Sequence, residues 1–300
     1  DLVRSRGLGD VYKRQQQRRG EIQKALDSNF VNEQLNTDAL PRAPGVYVFY
    51  GDSALPLYIG KSVDIRSRVL SHLRNPDEVR MLSQTRRVET IETAGEIGAL
   101  LLESQMIKAH SPLYNQRLRR VKKLCSLQLV SENQGDKVLW VDEQTVQPGV
   151  TPDLYGLFSS RKAAKDKLQS LAQQHRLCLQ LLGLEPVNQR GCFGWQTKQC
   201  AGVCIGQESR ADHDHRMRLA LQDLQVHTWP FQGTVDLLEQ RGSWLQKHRV
   251  RNWNYLGTWC SKKNGFIHLE LNTIGFDADS YQILLKPVLL QTLQTQSVAQ

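Results

Sequence analysis

Two tyrosines, a lysine, an arginine, a histidine and a glutamate stand between residues 47 and 103 in an order that suits work on an anion. Tyr47 closes Gly45-Val46 in "GVYVFY", and Tyr58 opens Ile59-Gly60-Lys61 in "LPLYIGK". Side chains alternate faces along a strand, so Tyr47 shares a face with Gly45 and Phe49, and Tyr58 with Gly60. A glycine beside a functional side chain leaves room for a phosphate or a second backbone to come close. The plain alternative is a pair of half-buried strand aromatics. Arg68 and His72 lie four residues apart, one above the other on a helix that follows Lys61. Arg66 and Arg74 fall elsewhere around that helix. Glu103 lies in mid-helix on a stripe with Glu96, Leu100 and Ile107. A carboxylate there needs a cation or a donor. It either pairs with Lys108 or helps to hold a hard divalent cation, whose other ligands are often water.

The elements that must position these groups follow from residue pattern. "VYVFY" and "LPLYIG" read as an antiparallel hairpin across the turn "GDSALP". "KSVDIRSRVLSHLR" reads as a helix capped by Ser62, with Asp64 in its first turn and Ile65, Val69 and Leu73 as its apolar stripe. "RRVETIET" is a third strand. "TAGEIGALLLESQMIKAHSP" is a second helix, opened by a Thr93-x-x-Glu96 capping box and stopped before Pro112. The order β-β-α-β-α gives a small α+β unit, an antiparallel three-stranded sheet flanked by helices. After the basic run "RLRRVKK", two strands span Leu124 to Trp140 and a long helix runs from Ser159 to Leu182, with Ala163, Leu168, Leu171 and Leu177 as core. The chain thus divides into a leader with a helix (1–36, its first fifteen residues non-native or disordered), the α+β unit (37–123), a region holding a cysteine cluster (124–210) and a mixed α/β C-terminal region (211–300).

Bulk properties agree with a globular protein acting on a polyanion. The 300 residues suffice for one large domain or two modest ones. Apolar residues make up 40% and charged residues 23%, with a net charge of +9. Residues 37–123 carry 14 Lys and Arg against 9 Asp and Glu. No apolar run is long enough to span a membrane, and no secretory signal opens the sequence. Six cysteines without such a signal imply a reducing compartment.

Gly45-Val46-Tyr47, Tyr58-Ile59-Gly60-Lys61, Arg68, Glu103 and Asn115 in "SPLYNQRLR" together resemble the GIY-YIG nuclease domain. The phrases "APGVYVF", "LYIGKS" and "LLLESQMIKAHSPLYN" are closest to the N-terminal nuclease module of the UvrC excision-repair endonucleases. The likeness covers Thr37 to Lys123 and extends more weakly to about residue 206. UvrC proteins are much longer and carry a second nuclease domain and helix-hairpin-helix modules, so the sequence looks like a short UvrC homologue. The resemblance implies hydrolysis of a phosphodiester on the 3′ side of a lesion in damaged double-stranded DNA, on UvrB after loading by UvrA, in the bacterial cytoplasm. It implies Glu103 as the protein ligand of Mg²⁺ or Mn²⁺, Tyr58 as general base towards water, and Arg68 as the charge that meets the scissile phosphate. A phenol titrates near 10, so a base at neutral pH needs a drop of about three units. Lys61, Arg68 and the metal are the cations to supply it. Tyr47 holds the surrounding hydrogen bonds, and Asn115 ties its loop to the hairpin. His72 stands where UvrC domains commonly have tyrosine, and is kept as a site residue. Arg66, Arg117, Arg119, Arg120, Lys122 and Lys123 are the expected DNA contacts.

Cys178, Cys192, Cys200 and Cys204 are spaced C-x13-C-x7-C-x3-C. The last three match the spacing of UvrC cysteines, which implies a [4Fe–4S] cluster; structural Zn²⁺ and simple packing are the alternatives. Cys125 and Cys260 lie outside the pattern. Trp244, Trp253 and Trp259 beside Arg249 and Arg251 are either core or a stacking surface. Two rival functions remain at this point, a GIY-YIG nuclease for branched or foreign DNA and an inactive DNA-binding module.

Overall fold

The computed structural model describes residues 37–115, 124–142, 144–267 and 276–298. The helix expected over Gly20–Asn36 and the cations Arg117, Arg119, Arg120, Lys122 and Lys123 lie outside them.

β1 (Gly45–Tyr50) is central in the first sheet, antiparallel to β2 (Pro56–Ser62) on one side and β3 (Arg87–Glu92) on the other. The register sets Tyr47 opposite Gly60 and Phe49 opposite Tyr58, so the two phenols share one face. That face packs on Ile65 and Val69 of α1 (Ile65–Leu73) and on Met81 and Leu82 of the short α2 (Val79–Leu82). Val46, Val48 and Ile59 bury the opposite face against Met106 and Ile107 of α3 (Glu96–His110). The pleat therefore sends tyrosines to one layer and the aliphatic residues to the other.

The cap of α1 is Asp64, whose carboxylate accepts from Ser67 N–H at 2.9 Å. Ser62 stays in β2 and bonds Asp64 instead, so the expected Ser62 cap is corrected. The Thr93–Glu96 capping box does not form either. Gly95 is the cap residue, and Thr93 Oγ1 donates to Gly95 O.

A four-stranded antiparallel sheet follows, in the order β5 (Gly135–Asp142), β4 (Cys125–Glu132), β6 (Leu154–Phe158), β7 (Gln225–Val226). Its core joins Leu127 and Leu129 to Leu168 and Leu171 of α4 (Arg161–His175) and to Met217 and Leu221 of α6 (Arg210–Leu221). Helix α6, which the boundary at 210 would place in the C-terminal region, is thus part of this core. α4 ends at Arg176, which adopts a left-handed conformation, well short of the expected Leu182. Its buried alanines are Ala164 and Ala172, whereas the expected Ala163 is only half-buried, with its N–H capped by Ser160. The cysteine loop carries the one-turn α5 (Phe193–Gln196).

The last unit is a five-stranded sheet, β11 (Gly265–Ile267), β10 (Asn254–Cys260), β9 (Trp244–Arg251), β8 (Val235–Arg241), β12 (Gln294–Ser297), packed against α7 (Ala278–Leu289). Its core includes Trp253, and it takes in Leu101 from the far side of α3. Trp244 is likewise buried, so two of the three tail tryptophans are packing residues. α3 lies between the first sheet and this unit.

Candidate active site

Tyr47 is 1% exposed, and its hydroxyl lies 2.7 Å from His72 Nε2. His72 Nδ1 bonds Glu78 Oε2, and Glu78 Oε1 accepts from Asn75 Nδ2 at 3.1 Å. The imidazole thus links the Glu78 carboxylate to the Tyr47 hydroxyl, with one ring nitrogen facing each. The Arg68 guanidinium donates to the Tyr47 oxygen, and the Tyr58 ring lies beside that of Tyr47. Burial, then the neighbouring Tyr58, push the Tyr47 phenol far up, so it stays protonated. Glu78 is the partner that sequence reading missed. It sits in the 3₁₀ turn Pro76–Glu78, where no periodicity marks it.

The gap expected beside Gly60 for a phosphate is filled from within. A Cβ at Gly60 would stand 2.3 Å from the Tyr47 hydroxyl, so this glycine makes room for the phenol across the register. Tyr58 lies at the edge of a cavity of about 290 Å³ that His72, Glu78, Arg80 and Tyr114 also line. Burial raises its pKa, and the Glu103 carboxylate raises it further, while Tyr47 and Arg68 pull it down by less. Without a metal the protein's own groups therefore oppose a phenolate; of the three cations expected to supply the drop, Arg68 acts in that direction but is outweighed by burial and Glu103.

Glu103 is half-buried, and its Oε1 accepts from Lys61 N–H at 3.0 Å. The Lys61 ammonium turns instead to Glu96, at 2.6 Å. Lys108 does not pair with Glu103, since it is bound to Asp277 at 2.6 Å and Asp279 at 2.9 Å. Burial lifts the Glu103 pKa to about 6, against the Lys61 backbone donor and the charges of Lys61 and Arg68. Asn115 accepts from Ile59 N–H at 2.9 Å and donates to Ile59 O at 2.8 Å, bonding its loop to β2. Arg66 is drawn off to Asp38, at 2.5 Å.

The helix that carries Glu103 begins in a carboxylate from another unit. Glu239 of β8 accepts from Ile97 N–H at 2.9 Å and Gly98 N–H at 2.7 Å, and also meets His248 Nε2 at 3.0 Å. Gln246 accepts from Ala94 N–H at 2.7 Å. A Cβ at Gly95 would stand 2.3 Å from Glu239 Oε1, and one at Gly98 2.8 Å from the His248 ring. These two glycines let the carboxylate reach the positive end of the helix.

Cys178, Cys192, Cys200 and Cys204 bring all four sulfurs within 4.8 Å of one another. Burial pushes the Cys178 thiol far up and Cys200 to about 12. Burial also raises Cys192, but donors including the Leu179 and Trp195 N–H groups and the neighbouring thiols outweigh it, leaving that thiol below its usual range. Behind the four sulfurs, Cys178 N–H donates to His213 Nε2 at 3.2 Å, and His213 Nδ1 faces Asp214 at 3.1 Å. Accepting at Nε2 means that His213 is neutral, in keeping with the lowering of its pKa by burial. Cys260 accepts from Trp244 Nε1 and Cys125 faces Phe158 O, both remote from the centre.

Comparison with known proteins places most of the chain. Residues 43–116 match the UvrC-like GIY-YIG domain, 124–223 the UvrC/Cho excinuclease middle domain, and 226–300 the excinuclease Cho C-terminal domain. The chain is 50% identical over 252 residues to excinuclease Cho of Escherichia coli K12, covering 83% of this chain and 84% of that one. The chain belongs to the excinuclease Cho family. Excinuclease Cho of Shigella flexneri is 51% identical over the same shares. The magnesium-bound N-terminal nuclease domain of UvrC from Thermotoga maritima is 30% identical, covering 29% of this chain and 98% of that domain with a TM-score of 0.26. Like other members of the Cho family, this chain is a GIY-YIG nuclease related to UvrC.

Proposed function

We propose that the chain is a divalent-cation-dependent endonuclease that cuts DNA on the 3′ side of a lesion in nucleotide excision repair. The observation that carries this reading is Glu103, a half-buried carboxylate with which neither the Lys61 nor the Lys108 ammonium pairs, set close enough to act on Tyr58 and to feel Arg68. A hard oxygen ligand with a raised pKa and no side-chain counter-ion fits Mg²⁺ or Mn²⁺. A cation held there by Glu103 would supply positive charge to the phosphoryl and leaving oxygens. Arg68, exposed and steadied by Tyr47, faces the scissile phosphate and offsets the charge that builds on it. Tyr58 stays protonated and orients the attacking water rather than taking its proton. Glu78 and His72 hold Tyr47, and through it Arg68.

The decisive experiment is incision of a duplex with one defined lesion, with and without UvrA and UvrB. The expected product is a single cut 3′ to the lesion that needs both proteins. Lesion-independent cutting by the chain alone would reassign it to branched or foreign DNA.

The four thiols are proposed as a metal centre. Sulfurs at about 2.3 Å from one tetrahedral Zn²⁺ stand about 3.8 Å apart, and the observed span of 4.8 Å is that of a single ion more than of a cubane. The cysteine spacing shared with UvrC supports [4Fe–4S]. Anaerobic purification followed by iron, sulfide and zinc analysis separates the two. Wild type should carry stoichiometric metal and Cys200→Ser should lose it; metal-free wild-type protein would leave the cysteines as packing.

A further inference from the structure

Beside the cysteine centre a cavity of about 550 Å³ opens among Arg176, Arg190, Trp195, Gln196, Lys198 and Gln207. No carboxylate lines it. The three cations are exposed, and among the described residues none of them is ion-paired. The acids closest in sequence are engaged elsewhere. Glu185 accepts from Phe193 N–H at 3.0 Å, and Glu208 binds the Arg216 guanidinium at 2.9 Å.

The sequence shows why the cations converge. Each stands two residues before a cysteine of the centre, in Arg176-x-Cys178, Arg190-x-Cys192 and Lys198-x-Cys200. Bringing four sulfurs within 4.8 Å therefore gathers three loops, each with one cation at the same offset. Their backbones are pinned as well. Arg176 O accepts from Ala201 N–H at 3.1 Å, Lys198 N–H donates to Trp195 O at 3.0 Å, and Arg190 N–H donates to Asn188 Oδ1 at 3.0 Å. Arg176 and Lys198 both hold left-handed conformations, with φ of 53° and 61°. Trp195 is wedged between two glycines, where a Cβ at Gly191 or Gly202 would lie 3.1 or 3.0 Å from its ring.

We propose that this cavity is a second DNA contact, which grips the phosphodiester backbone away from the cleavage site. Three cations with no acid among them, on loops gathered around the four cysteines, match a run of phosphates. The space exceeds what one free phosphate needs, and the amides of Gln196 and Gln207 and the indole edge add sequence-independent hydrogen bonds and contact. The proposal rests on the reading that DNA is the substrate, but not on the chemistry at Glu103.

The test replaces Arg176, Arg190 and Lys198 with glutamine, singly and together, in the full chain. Binding of a fluorescein-labelled duplex is followed by anisotropy across a salt series, with metal content measured on each variant. Each lost phosphate contact should lower the slope of log K against log salt by about 1. The triple variant should bind at least about tenfold more weakly at moderate salt, with metal content and the rate at saturating DNA unchanged. An unchanged affinity and slope overturn the proposal. So does loss of metal accompanied by the weaker binding, which would assign the cations to offsetting the thiolates. Intact DNA binding with lost binding of an acidic partner protein overturns it in favour of that partner. Glu103→Gln run alongside keeps the two readings apart, because it removes cleavage without touching the salt slope.

Discussion

Replacing Glu103 with glutamine is expected to remove strand cleavage, by roughly three powers of ten or more, while DNA affinity stays at the wild-type level. Glutamine keeps the acceptor for Lys61 N–H, so the fold is retained and only the charge is lost. Nicking of a labelled duplex in Mg²⁺ reads the effect; a wild-type rate in this variant removes Glu103 as the ligand. The raised pKa of about 6 adds a pH signature. The carboxyl must lose its proton before it can bind a cation, so the divalent concentration for half-maximal activity should climb as pH falls below about 6. The sign for stability is the opposite of that for a paired carboxylate. A folded pKa above the unfolded one means that ionisation at neutral pH destabilises the fold, by about 2 kcal/mol for a rise of this size. In the absence of divalent ions Glu103→Gln should therefore unfold at a higher temperature than wild type. A lower melting temperature would show that the carboxylate is stabilising.

Arg68→Ala should slow single-turnover cleavage by about 10²- to 10³-fold, the usual cost of removing a donor aimed at developing charge. Arg68→Lys should recover only part of this, because an ammonium lacks the planar fork that can serve Tyr47 and a phosphate together. A rate for Arg68→Ala within tenfold of wild type would confine Arg68 to holding Tyr47.

The parts of this site that were legible in the sequence are those set by short-range rules. The hairpin register follows from alternation, and the pairing of Arg68 with His72 follows from helical spacing. Motif order named the residues that converge. Contacts whose partners lie on no shared element were not legible. Glu78 reaches His72 from a 3₁₀ turn, and Glu239 reaches Ile97 and Gly98 across 142 and 141 positions. Without Glu239, Thr93-x-x-Glu96 looks like a capping box; with it, the helix start is already satisfied and Glu96 is free to bind Lys61. The phenol of Tyr58 misled in the same way. Counting nearby cations predicts a lowered pKa, whereas its burial and the Glu103 charge reverse the direction.

Glu239 also bears on how far the nuclease unit is portable. Cut free at its own boundary, it would begin the Glu103 helix with bare amides and turn Leu101 out to water. Transplanting it onto a foreign partner would require that partner to bring an acid to the same spot, opposite glycines at 95 and 98. The two terminal regions are in that sense inherited together, and a change in one narrows what the other can become.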